Sequence, residues 1–260
     1  MNIVVCIKQV PDTTEVRIDP VKGTIIREGV PSIMNPDDKG GVELALRLKD
    51  QYGAKVTVIT MGPPQADAIL REAFAMGVDE AIHLSDRRFA GADTLATSNA
   101  LAGAIRTLPY DIVITGRQAI DGDTAQVGPQ IAEHLNIPQV SYVESLEYDG
   151  KGLLKVRKAT EEGYQVVELP TPCLLTSVVP VKETRYMTVG GIVDAYNKEV
   201  MIWNADNIDV DETKLGMKGS PTKVFKSFSK GAKAAGEQHE LTPEEAVDLI
   251  IAKLQEKFII

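Results

Sequence analysis

The feature that most constrains this chain is the alternation of short, β-rich apolar runs with longer stretches of helical periodicity. Runs at residues 3–7, 56–61 and 112–115 are largely apolar, without the polar alternation of a sheet that keeps one face wet. That texture belongs to parallel strands covered on both faces, and the helical patterns between them supply the crossovers of βαβ units. Helices are expected over about 38–51, 65–76, 94–108 and 125–135, with Gly53, Gly77 and Pro109 as stops. The first half of the chain therefore reads as α/β.

From Ser141 the texture changes. Residues 143–148, 153–157, 164–169 and 173–177 read as short strands that extend the sheet antiparallel, with Asp149-Gly150 as a hairpin signal. Beyond Pro180 the chain is polar and irregular to about residue 240, a length of loop that is uncommon in a compact domain unless it binds something. The expected division is an α/β domain over 1–180 and a docking loop with a partner-embracing arm over 181–260. The arm ends in a helix, because Thr242, Pro243 and Glu245 supply a cap, a first-turn proline and the third-position acid of a capping box. Val247, Ile250, Ile251 and Leu254 form its apolar stripe, which suits packing on its own domain or on a second subunit.

Composition removes several classes. The 260 residues suffice for one large domain, or one domain and an appendage. With 28 Lys plus Arg against 37 Asp plus Glu the net charge is −9, a field that repels nucleic acid and anionic lipid. Cys6 and Cys173 lie far apart with no CxxC motif, and three His make a zinc or iron–sulfur site unexpected. The start lacks the basic region of a signal peptide, and no apolar stretch is long enough to span a bilayer, so a cytoplasmic protein is expected. His83, His134 and His239 accompany no nucleophile motif.

The most informative stretch is 116–129, GRQAIDGDTAQVGP, directly after a strand and before a helix. In open α/β sheets ligands lie at the carboxyl ends of strands, where a helix N-terminus offers unpaired N–H groups to a phosphate. Thr124 and Gln126 add neutral donors, whereas Asp121 and Asp123 would repel a phosphate unless they point away or meet ribose hydroxyls. The same residues serve equally well as a helix cap and turn. Asn35-Pro36-Asp37-Asp38 is likewise a cap or a crevice wall, and Thr94 and Thr97 open a helix that either meets a pyrophosphate or simply begins. Arg185, Tyr186 and Trp203 have the character of interface anchors, although local packing accounts for them too.

Taken together, these segments resemble the small (beta) subunit of electron transfer flavoproteins from end to end. The likeness rests on the opening residues 4–12, on Met34-Asn35-Pro36, on 116–121, and on Lys158, Glu161, Glu162, Gln165, Val167, Pro172, Leu174, Leu175 and Thr176 at the family's spacing. The resemblance implies a doubly wound, mostly parallel α/β domain of the adenine-nucleotide-binding type, paired with a large (alpha) subunit that carries FAD. It implies nucleotide contacts at Cys6, at Asn35, Pro36, Asp37 and Asp38, at Met61, and at Asp121, Gly122, Asp123, Thr124, Ala125, Gln126, Val127, Gly128, Pro129, Gln130, Ile131 and Ala132. Thr94 and Thr97 resemble pyrophosphate contacts, and the segment holding Arg185 and Tyr186 aligns with the loop that recognises dehydrogenases.

Two versions of the family differ in what the small subunit holds. One holds a structural AMP. The other, from anaerobic bacteria, holds an FAD that accepts hydride from NADH and bifurcates the electrons, one to ferredoxin or flavodoxin and one through the large-subunit FAD to an acyl-CoA dehydrogenase or reductase. The 121–129 segment is similar to the second version, and the small residues Gly122 and Ala125 leave room for a dinucleotide. A free-standing nucleotide-binding protein of the universal-stress type is the remaining alternative.

Overall fold

In the computed structural model the described residues are 1–12, 31–223, 225 and 236–260. They form two units, Met1–Phe225 and Lys226–Ile260. The first unit is built on a nine-stranded sheet. In chain order its elements begin with β1 (Asn2–Cys6), a short antiparallel pair β2 (Gln9–Pro11) and β3 (Ser32–Met34) outside the main sheet, α1 (Pro36–Tyr52), β4 (Lys55–Met61), α2 (Asp67–Met76) and β5 (Glu80–Leu84). They continue with α3 (Thr94–Ile105), β6 (Ile112–Gly116), α4 (Val127–Leu135), β7 (Gln139–Tyr148), β8 (Leu153–Thr160), β9 (Gly163–Pro170), β10 (Cys173–Ser177), α5 (Val189–Ala195), β11 (Val200–Trp203) and the four-residue α6 (Gly216–Gly219).

The sheet order is β11-β5-β4-β1-β6-β10-β7-β8-β9. Every pair from β11 to β7 is parallel, and only β8 and β9 are added antiparallel. Period-two alternation feeds two cores. Ile3, Val5 and Ile7 join the core that includes α1 and α2, whereas Val4 and Cys6 join the one that includes α3 and α4. Helices thus cover both faces, as the apolar runs require, and the fold is doubly wound. The chain leaves β1 toward β4 and β5 on one side, then returns through α3 to β6 on the other. The direction of winding reverses at β1, and the carboxyl ends beside it are where such sheets place ligands.

Two expectations are corrected. Strand β10 runs parallel to β6 and β7 and lies between them, because residues 173–177 are buried at every position and fit the interior rather than an edge. The first unit also extends well beyond residue 180. β11 pairs with β5, and α5 packs on α2, so residues 181–223 belong to the α/β body rather than to a separate arm. The end of α3 at Ile105 falls within a few residues of the expected stop.

In the second unit α7 (Pro243–Glu256) begins with the expected capping box: Thr242 accepts from the Glu245 N–H, and the Glu245 side chain accepts from the Thr242 N–H. Among the described residues no helix is long and apolar enough to cross a membrane.

Candidate functional site

The carboxyl ends of β1, β4, β5 and β6 surround a crevice of about 900 Å³. Cys6 and Lys8 line it from β1, Met61 and Gly62 from β4, Leu84 and Asp86 from β5, and Thr115 to Ala119 from β6. Its rim is closed by Thr94 and Thr97 of α3 and by Gly122, Thr124, Ala125, Gln126, Val127 and Gly128. These residues are distant in sequence and meet only through the reversal of winding at β1.

The crevice floor is pinned by Asp38 in the first turn of α1. Its Oδ2 accepts the Lys8 N–H at 2.8 Å and its Oδ1 the Gly116 N–H at 3.0 Å, which ties the end of β1 to the end of β6. Burial pushes the Asp38 carboxyl up to about 7, against the opposing effect of hydrogen bonds from Asn35, Lys8 and Gly116. Burial also raises Asp37, which is partly offset by the charge of Arg117, whose Nε lies 3.1 Å from its Oδ2. The Cys6 thiol is pushed up by burial and by the nearby Asp38 charge, and it lines the floor as an apolar group.

Asn35 does a different job from the cap its position suggests. It is the N-cap residue of α1, yet its side chain makes no capping hydrogen bond. Fully buried, it donates from Nδ2 to the Gln118 carbonyl at 2.8 Å and accepts the Ile120 N–H at 3.1 Å. The amide therefore braces the loop that follows β6. The same loop is held by Lys8, whose Nζ lies 2.6 Å from Asp121 Oδ1, with the Asp121 side chain only 4% exposed. Asp123 Oδ1 accepts from Gln118 Nε2 at 2.9 Å. Both acids that would repel a phosphate are thus engaged by other side chains, Asp121 by Lys8 and Asp123 by Gln118.

With those carboxylates engaged, α4 presents an N-terminus that no side chain caps. Its first-turn N–H groups and dipole are suited to an anion. Gly128 brings this end down onto the sheet, since a Cβ there would stand 2.6 Å from Thr115 Oγ1 and 2.9 Å from Thr176 Cγ2. Asp123 and Ala125 hold left-handed backbone, φ 50° and 52°, a conformation that costs an alanine about 1 kcal/mol or more and gathers at functional sites. Across the rim, Thr94 Oγ1 donates to Gln126 Oε1 at 2.8 Å, which joins the opening turns of α3 and α4. The α3 end is already capped by Asp93, which accepts the Ala96 N–H.

The remaining expected contacts lie elsewhere. Pro36 and Asp37 open α1 behind the floor, and Pro129 and Gln130 continue α4 past the rim, the Gln130 Oε1 buried without a hydrogen bond. Ile131 and Ala132 are core residues. Arg185 and Tyr186 line a second cavity of about 720 Å³ with Glu43, Met76, Gly77 and Lys198, away from the crevice. There Glu43 is raised by burial but held below the usual carboxylate range overall by hydrogen bonds from Arg185. The wall formed by residues 85–90 after β5 has no counterpart among the contacts expected from sequence. Strand β5, five residues with His83 inside it, is too short and too mixed to announce itself. Asp86 of that wall is held at about 2 by hydrogen bonds from Arg88.

Residues 22–206 match the model of the electron transfer flavoprotein domain. The chain is 63% identical to an electron transfer flavoprotein subunit beta of Clostridium acetobutylicum and 53% identical to the CarD subunit of the caffeyl-CoA reductase-Etf complex of Acetobacterium woodii, all of each chain being covered in both. It is 44% identical to the acryloyl-CoA reductase electron transfer subunit gamma of Anaerotignum propionicum, again over the whole of both chains. A doubly wound body with its crevice at the reversal of winding, matched by this family model and by relatives of full length, places the chain in the electron transfer flavoprotein family, among its beta subunits.

Proposed function

We propose that this chain is the small subunit of a heterodimeric, cytoplasmic electron transfer flavoprotein whose crevice binds FAD. In this reading the flavin accepts hydride from NADH, and its electrons are bifurcated to ferredoxin or flavodoxin and, through the FAD of the large (alpha) subunit, to an acyl-CoA dehydrogenase or reductase. The observation that carries the choice of FAD over AMP is the extent of the crevice. At about 900 Å³ it stands near the top of the range for small-molecule sites, roughly 300–1,000 Å³, and runs past the α4 terminus to the wall after β5. An AMP would need only part of that length. The names of the A. woodii and A. propionicum relatives, which refer to CoA reductases, support an acyl-CoA partner.

The bound flavin would supply the redox chemistry, and the residues of this chain hold and shape it. The N–H groups at the start of α4 would receive a phosphate, Thr94 and Thr97 stand along the same rim, and Asn35, Asp38 and Lys8 keep the loop after β6 in place. Tyr186 would meet the dehydrogenase.

Gly122 gives the direct test. It lines the crevice, and a Cβ there would meet nothing within 4 Å, so Gly122→Val is expected to fold normally while its side chain fills ligand space. The variant heterodimer should keep the circular dichroism and elution volume of the unmodified one while purifying with little small-subunit nucleotide, and it should melt lower only by the stability that the bound nucleotide confers. Full nucleotide content in a folded variant would remove this crevice as the binding site.

A further inference from the structure

Arg185 and Tyr186 divide a single task. Arg185 is turned onto α1, where its Nε and its backbone N–H donate to Glu43 Oε2 at 2.9 and 3.0 Å and its Nη2 donates to Asp50 Oδ2 at 2.8 Å. Glu43, with its side chain only 6% exposed, also accepts from Arg47 Nε, and Arg47 Nη2 donates to the Glu183 carbonyl at 3.0 Å. The chain just before Tyr186 is therefore fastened to α1 by charged hydrogen bonds. Its far end is fastened to α2, where Arg71 Nη1 donates to the carbonyls of Ala195 and Lys198 at 2.8 and 2.6 Å.

Between the two clamps the chain turns outward. Tyr186 is 95% exposed, and Val189, Val193 and Tyr196 are exposed beside it. Four large apolar side chains held in water on a segment clamped at both ends are the form of a preorganised contact. Ordering such a segment in advance removes an entropic cost that would otherwise be met on binding.

We propose that Glu43 and Arg185 are positioning residues for partner docking, acting through the conformation of Tyr186 and not by touching the dehydrogenase. The inference rests on the docking reading of Tyr186 given above. Glu43 is the discriminating residue, because it lies too deep to meet a partner, whereas an effect of Arg185 alone could arise from contact.

The test uses the whole heterodimer with an acyl-CoA dehydrogenase that is reduced by butyryl-CoA and passes electrons to the unmodified protein with saturable kinetics. Glu43→Gln and Arg185→Ala should each raise the KM for that dehydrogenase on the order of tenfold, as expected for loss of a charged hydrogen bond, with kcat and bound nucleotide unchanged. Amide hydrogen exchange over residues 185–192 should quicken in both variants, and Arg185→Lys, which can keep one ion pair, should recover part of the KM. Unchanged exchange or unchanged KM in Glu43→Gln would overturn the proposal, as would a rise in KM confined to Arg185→Ala. If Tyr186→Ala also leaves the KM unchanged, the docking reading itself fails. If Tyr186→Ala raises it and Glu43→Gln does not, only the positioning role fails.

Discussion

At Asp38 a carboxylate closes the crevice floor under conditions that disfavour its charge. Burial lifts its folded value to about 7 from an ordinary 3.8. An acid raised in this way is a cost to the fold that is absent below 3.8 and complete above about 7, so its contribution to stability falls as pH rises between the two. Asp38→Asn has no proton to lose. Although it loses one of the two acceptor oxygens, its melting temperature relative to the unmodified protein should rise by roughly a few degrees between pH 5 and pH 8. A difference that stays constant with pH, or narrows in the other direction, would show that Asp38 is not the titrating group. The role of Asp38 could be read from sequence only as a cap or a wall. Its partners, Lys8 and Gly116, are 30 and 78 residues away. Asp121 shows the same limit. Its neighbours suggested a cap or a ribose contact, whereas Lys8, 113 residues distant, engages it in an ion pair.

Among the elements, α4 depends on one close approach. Gly128→Ala would set a methyl group against Thr115 and Thr176 and should cost about 1–3 kcal/mol of stability by denaturant unfolding, with weaker nucleotide retention as the helix end lifts. Gly122→Ala, in open space, is the matched control. Equal stability of the two variants would mean that α4 does not rely on this contact. The helices α1, α2, α4 and α7 were legible to within a few residues, because apolar periodicity, caps and stops are local signals. Strands β5 and β11 were not. Each is short, and β11, the four-residue edge strand Val-Met-Ile-Trp with Ile202 exposed, is apolar but too brief to show a period. The direction of β10 was misread for a related reason: a sequence shows that a strand is buried, but not which neighbours lie beside it.

For the molecule as a whole, the α/β class was written in the apolar runs, while the reversal of winding at β1 emerges only from strand order. That reversal gathers Cys6, Met61, Thr94, Thr115 and Gly128 into one crevice, which the residues after β5 extend. The central measurement is the cofactor content of the purified heterodimer, by absorbance and chromatography of the nucleotides released on heating. Two FAD per heterodimer are expected, one of them missing from Gly122→Val. One FAD with one AMP would contradict the proposed function and make the crevice the seat of a structural nucleotide.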